Sequence, residues 1–348
     1  MNTRIRDFGY KVGNLPCGTR NKITDVPGVR VGHWTIDQDR QHTGLTVILP
    51  GTDNCFLHKY TASGYVHNGF GKTCGLVQVE ELGTLETPIV LTNTLNVGRV
   101  ADAVVSYMIE ETRKNGTEIY SINPVVGECN DSQINDIQNR LMGEKQLKAA
   151  IEAAQEEFEE GDVGAGAGTI CYGLKGGIGS ASRILTIGEH NYTIGILVQT
   201  NFGSTIDLTL NGEAIGKEIV ADTERTKDGL STEDRGSIMT ILATDLPVSD
   251  RQLYRIIRRC GVGIARTGAY SGHGSGEVMI GFTTANRIDT RSEVFFREYR
   301  MINEDLINMA FEAAAEATQE AIYNSMSSAK AKAGLDGKQY RSLAQYLV

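Results

Sequence analysis

The chain has 348 residues, 40 % hydrophobic and 22 % charged, which is ordinary for a folded protein and enough for one large domain or two modest ones. Its net charge of −9, with both signs mixed along the chain, argues against nucleic acid as the main partner, because phosphate binding needs a concentrated basic surface. No run approaches the roughly 20 apolar residues of a membrane span, and residues 1–18 hold no apolar stretch of signal-peptide length, so a cytoplasmic location without membrane contact is expected.

In chain order, GVRVGHWTI (28–36), GLTVILP (44–50) and TPIVLTNT (87–94) read as strands. Residues 99–114 predict a helix with Val100, Ala103, Val104 and Met108 on one face, and the Ala-, Glu- and Lys-rich stretch 144–160 predicts a second. YTIGILVQT (192–200), SIMTILAT (237–244) and EVMIGFTT (277–284) are further strands. A helix over 250–266 carries Leu253, Ile256, Ile257 and Cys260 as one stripe, and an alanine-rich helix over 304–324 suits close packing on a sheet. Strands outnumber helices and do not alternate steadily with them, which points to a layered α/β or α+β sandwich, not a doubly wound sheet. There is no internal repeat and no linker, so 1–348 reads as a single domain.

The 40 glycines cluster at 64–75, 161–179 and 261–276; the 164–179 segment reads as close-packed backbone, not a phosphate cradle. The six widely spaced cysteines read as buried free thiols. Several familiar motifs fail. GFGKT (69–73) lacks the earlier glycine of a phosphate loop, since Val66 stands there, and Ser275 is flanked by His273 and Glu277 where a nucleophile elbow needs glycines. Cys55, His58, His67 and Cys74 do not have the spacing of a zinc finger, and both histidines fall in turn-rich, exposed sequence, so no metal is expected.

One stretch stands apart. IVADTERTKDGLSTEDRG (219–236) is polar, charged and without apolar periodicity, and it stops where the apolar strand from Ser237 begins. A long polar loop in a compact domain is often functional. An exposed loop joined to a buried strand is also the layout a processing site requires. A serine hydroxyl can attack the peptide bond before it, giving an ester that water opens. The product carries the hydroxyl and an α-amine of pKa about 7.7–8.0 that can help move protons. Glycine before the serine leaves the attack unobstructed. Gly-Ser also occurs at 179–180, 203–204 and 274–275, but only 236–237 lies between a charged loop and a buried strand.

Many segments in order carry a resemblance along almost the whole chain: NKITDVPGVRVGH (21–33), TGLTVILP (43–50), ELGTLETPIVLTNT (81–94), NPVVGECND (123–131), GAGAGTICYGLKGGIGSASR (164–183), VQTNFG (198–203), RGSIMTILATDLP (235–247) and ARTGAYSGHGSGEVMIGFTTAN (265–286). Together they resemble the L-aminopeptidase/D-amidase-esterase family, which includes β-peptidyl aminopeptidases. The resemblance implies a four-layer αββα sandwich, like that of the N-terminal-nucleophile hydrolases but with its own topology. It implies self-cleavage between Gly236 and Ser237, giving an α chain 1–236 and a β chain 237–348. Ser237 is then the nucleophile, Ser275 and Glu277 assist it, and Asn201 stabilises the oxyanion. His273, though beside Ser275, has no part in that mechanism. Glu128 corresponds to the acid that pairs with the substrate's free amine; Cys129, Ser132 and Gln133 around it depart from the family pattern, which leaves the pocket's preference open. The implied substrates are peptides, amides or esters with a free amino terminus, hydrolysed through an acyl-enzyme without metal or organic cofactor by a homo-oligomer of cleaved αβ units. Two alternatives stand beside this: acyl transfer like that of ornithine acetyltransferases, which use threonine as nucleophile, and an uncleaved homologue that only binds.

Overall fold

The computed structural model of the chain describes residues 4–347. Two sheets form its centre. The first has the order β1 (Arg30–Gln38), β2 (Gln41–Leu49), β5 (Ile89–Asn93), β6 (Val125–Cys129), antiparallel except for the parallel pair β5–β6. The second has the order β4 (Thr84–Leu85), β3 (His58–Gly69), β12 (Ser275–Asp289), β11 (Gly236–Thr244), β10 (His190–Asn201), β9 (Ile178–Ile187), with only β11–β12 parallel. Two short ribbons, β7 (Ile170–Cys171) with β8 (Leu174–Lys175) and β13 (Lys332–Ala333) with β14 (Gln339–Tyr340), stand outside both sheets.

Strand alternation sorts the apolar side chains into layers. On β11, Met239, Ile241 and Ala243 join Leu91, Val125 and Leu197 in the core between the sheets, while Ile238 and Leu242 face the other way. On that outer face lie α5 (Asp250–Ile257), α6 (Cys260–Ala265) and α7 (Ile307–Ser327), with α7 across β9 and β10. α1 (Leu76–Leu82) packs on β3 and β4, and the first sheet's outer face carries α2 (Val97–Lys114) and α3 (Glu144–Glu152) over Val47, Val90 and Val126. Helix, sheet, sheet, helix: the four-layer αββα sandwich holds. The small residues of α7 do allow close approach. A Cβ on Gly179 of β9 would fall 2.0 Å from the Ala321 carbonyl oxygen. Of the cysteines, all are free, four are buried, and Cys17 and Cys74 are half-buried.

Several sequence boundaries shift for local reasons. The helix expected over 250–266 breaks into α5 and α6, because Arg259 N–H bonds Ile256 and Val262 N–H bonds Arg259, an i→i+3 tightening of the turn. The helix expected over 144–160 ends at Glu152, after which Gln155 pairs with Val31 beside β1. The polar stretch from 219 begins inside α4 (Gly216–Thr226), where Ile219 and Thr223 form a buried i,i+4 pair, so the loop proper is 227–235. His58 and His67 lie not in turns but at the two ends of β3, roughly 30 Å apart at strand rise, which dissolves the Cys/His set as a metal site. Among the described residues no group of three or more His, Cys, Asp or Glu could hold a metal ion. No helix among them is long and apolar enough to cross a membrane.

A buried ion network joins distant parts of the chain. Arg183 of β9, fully buried, donates to Glu316 (3.0 Å) and Glu320 (2.8 Å) on successive turns of α7, and Arg6 reaches Glu320 at 2.6 Å. Burial alone would raise the Glu320 carboxyl, but Arg6 and Arg183 hold it below the ordinary range. Its stabilising contribution is therefore present above the unfolded-chain pKa and is lost as pH falls through the depressed folded value. Arg183→Met should cost roughly 3–5 kcal/mol in urea unfolding at neutral pH, because it strands buried carboxylates. The gap between variant and wild type should narrow in acid as Glu320 protonates.

Candidate functional site

At the entry to β11 the backbone takes a shape that only glycine tolerates. Gly236 has φ +112°, and a Cβ there would stand 1.8 Å from the Asn201 carbonyl oxygen. The next residue, Ser237, shares the face of Met239 and so points into the mouth of the inter-sheet layer, 5 % exposed. Its Oγ donates to the Gly236 carbonyl oxygen at 2.6 Å, folded back over the peptide bond that precedes it.

Asn201 ends β10 directly opposite Ser237 in the antiparallel register. Its Oδ1 accepts from Ile170 N–H at 3.0 Å, and its Nδ2 lies beside Gly236, 3.0 Å from where a Cβ would be. Because an N–H can bond only to the amide oxygen, this bond settles which end of the side chain faces Gly236. Glu128, near the end of β6, is buried and accepts from Lys72 N–H at 2.9 Å and from the Thr94 hydroxyl. Ser237, Asn201 and Glu128 all line one cavity of about 570 Å³, walled on one side by the loop 227–235 through Leu230 and Ser231.

Ser275 and Glu277 share a face of β12, as their spacing predicts; both are fully buried and the Ser275 hydroxyl donates to Glu277. Burial pushes the Glu277 carboxyl up to about 7, with Ser275 opposing the shift and Asp234 adding to it. They do not converge on the Ser237 hydroxyl in the uncut chain. The parallel register pairs Ser275 with Gly236 and Gly276 with Ser237. Alternation then turns Ser275 and Glu277 to the face that carries Ile238, and among the described residues neither lines the cavity. The pair sits beside the backbone of the 236–237 bond instead. His273 is exposed in the preceding turn.

The profile of Peptidase family S58 matches residues 21–340. The chain belongs to peptidase family S58. Its relatives include the β-peptidyl aminopeptidase BapA of Sphingosinicella microcystinivorans, 34 % identical over 96 % of this chain and 88 % of the relative. Among solved structures, the PH0078 protein of Pyrococcus horikoshii OT3 superposes with a TM-score of 0.92 at 42 % identity, covering 99 % of this chain and 98 % of that one. A β-aminopeptidase of Burkholderia sp. gives 0.89 at 35 % identity, over 99 % and 97 %. The L-aminopeptidase D-Ala-esterase/amidase of Ochrobactrum anthropi, described as a prototype of the serine aminopeptidases and a variant of the Ntn hydrolase fold, gives 0.91 at 32 %, over 99 % and 96 %.

As an S58 hydrolase the chain has features that its motifs did not reveal. The departures near Glu128 separate by position: Cys129 is a core thiol whose Sγ–H points to the Gln199 and Ser237 carbonyls at 3.4 Å, whereas Ser132 and Gln133 line the cavity. Asp234, two residues before the Gly-Ser bond, is buried and accepts from three backbone amides, those of Gly203 (3.1 Å), Tyr270 (3.1 Å) and Gly272 (3.3 Å). It ties the polar loop to the turn after β10 and to the turn before Ser275. Nothing in the sequence separates it from its neighbours Asp228 and Glu233, because its partners are backbone groups distant in sequence. Asp234→Ala should leave those amides unpaired and free the loop. Limited proteolysis should then cut within 227–235 at least several-fold faster than in wild type while the melting transition stays cooperative.

Proposed function

We propose that the chain cuts its own Gly236–Ser237 bond and then acts as an aminopeptidase or amidase with the Ser237 hydroxyl as nucleophile. One observation carries the reading: the Ser237 hydroxyl lies folded over the preceding carbonyl, at the mouth of a cavity that also holds Asn201 and Glu128. The S58 membership rules against the acetyltransferase alternative, which uses threonine.

In the self-cleavage step, Ser237 Oγ attacks the Gly236 carbonyl carbon. The C–N bond breaks with its electron pair going to the Ser237 nitrogen, which gains the proton the hydroxyl gives up. Water then opens the ester, adding OH to the Gly236 carbonyl and returning a proton to Oγ. The Asn201 Nδ2, beside Gly236, is a donor for the negative oxygen of the tetrahedral intermediate, an interaction worth roughly 10²–10³ in rate.

In the mature enzyme the Ser237 amine takes the hydroxyl proton as Oγ attacks a substrate carbonyl. The leaving amine departs, and water hydrolyses the acyl-enzyme. Ser275 with Glu277, lying beside the backbone nitrogen and not beside Oγ, is suited to take a proton from that amine, which requires the carboxylate form. Glu128, a buried acid facing the cavity, is the counter-charge for a substrate's free amino terminus. The relatives named for β-peptidyl substrates support this class.

Intact-mass spectrometry of fresh protein should give two fragments, 1–236 and 237–348, and a single uncut mass for Ser237→Ala. One full-length mass from both would leave the binding-only reading. In the cleaved enzyme, kcat/KM should rise with pH as the Glu277 carboxyl, held above the ordinary range by burial, ionises. Glu277→Gln should lower kcat by roughly 10²–10⁴. The same variant should melt higher than wild type near neutral pH. A raised carboxyl pKa means that the folded state keeps a proton the unfolded chain gives up, so stability falls as pH rises toward 7, and glutamine removes that penalty.

A further inference from the structure

We infer that Lys175 is a positioning residue for this chemistry: its ammonium, buried among three main-chain carbonyls, locks the turn over 166–176 so that Ile170 N–H holds Asn201 Oδ1 and leaves Nδ2 facing Gly236. The inference rests on the reading of Asn201 as oxyanion donor.

Lys175 is fully exclusive of solvent, yet its hydrogen bonds run to carbonyl oxygens: Gly166 at 2.9 Å, Thr169 at 2.9 Å and Gly176 at 2.7 Å. A buried lysine without a bonded carboxylate is rare and costly. Burial indeed pushes this ammonium down to about 7. Methionine would fill the same space without that cost but would leave the three carbonyls without their donor.

Those three carbonyls flank the β7–β8 ribbon, Gly166 and Thr169 just before β7 and Gly176 just after β8, and Gly176 N–H closes the base onto Thr169. The ribbon's other side reaches the end of β10 twice, through Ile170 N–H to Asn201 Oδ1 and through Tyr172 N–H to the Phe202 carbonyl at 2.7 Å. Its tip abuts the processing loop: a Cβ on Gly173 would stand 2.7 Å from Ser231 N. The ribbon thus touches the oxyanion donor, the following residue and the loop that ends at the scissile bond. Lys175 anchors its root. Without that anchor the Ile170 N–H drifts, and the Asn201 amide is free to turn its oxygen toward the place where negative charge develops.

The test is a cycle of Lys175→Met, Asn201→Ala and the double variant, with self-cleavage of newly synthesised full chain followed by intact mass. Lys175→Met is expected to slow cleavage at least about tenfold, within the roughly 10²–10³ that one such donor supplies. In the Asn201→Ala background it should add almost nothing. In material that has cut, kcat should fall with KM unchanged. Wild-type rates for Lys175→Met, or full additivity in the double variant, would overturn the inference while leaving Asn201 in its role. Wild-type rates for Asn201→Ala would overturn that role and the inference with it. Should Lys175→Met fail to give a cooperative melt, Lys175→Gln, which keeps two donors, takes its place and must show the same non-additivity.

Discussion

The antiparallel pairing of β10 with β11, in the register that sets Asn201 opposite Ser237, determines the rest of the site. A slip of one residue would turn every β11 side chain to the other face. It would send Ser237 toward α7 and Met239 out of the inter-sheet core. That core therefore enforces the position of the hydroxyl: Met239, Ile241 and Ala243 can be buried between the sheets only if Ser237 opens into the cavity. The Asn201 carbonyl completes the constraint, since its approach to Gly236 admits no side chain at that position.

Around this register the polar groups are held by main-chain bonds more than by one another. Asn201 is oriented by the Ile170 amide, Glu128 by the Lys72 amide and the Thr94 hydroxyl, and Asp234 by three amides from two separate turns. Main-chain donors on ordered turns have little freedom to reorganise, which suits a site where charge develops briefly. The Ser275–Glu277 pair follows another principle. Its carboxyl is kept close to neutrality by burial, so a small change in its surroundings decides whether it holds a proton.

What could be read in advance follows from the range of each signal. Strand alternation is local, and the six strands read from it all appear. So does the Gly-Ser bond at a boundary between polar and apolar sequence. Residue spacing also placed Ser275 and Glu277 on one face. It could not say which face, because that depends on the parallel register with β11, a contact between segments far apart in the chain. β3, β6 and β9 escaped notice because their glycines and small residues mask alternation: β9 opens with IGSAS, small enough for α7 to lie against it. Asp234 and Lys175 were illegible for a related reason. Each bonds main-chain atoms, and main-chain atoms leave no trace in residue type.

The proposed cut raises the question of why two fragments would remain one unit, and the layers answer it. The boundary at 236–237 falls inside a sheet, with β9 and β10 before it and β11 and β12 after it. The core beneath the outer helices draws Ile5, Ile194 and Ile219 from one side of the bond and Leu242, Ile264 and Ile322 from the other. Separation would unpair β10 from β11 and strip α7 from β9, exposing Arg183 and the carboxylates it neutralises. Breaking a buried ion pair is expensive, and exposing a shared apolar layer adds about 25 cal/mol for each Å² uncovered. Cutting one peptide bond at the strand's edge disturbs none of these contacts. The cleavage can release the Ser237 amine while the fold that positions it stays intact.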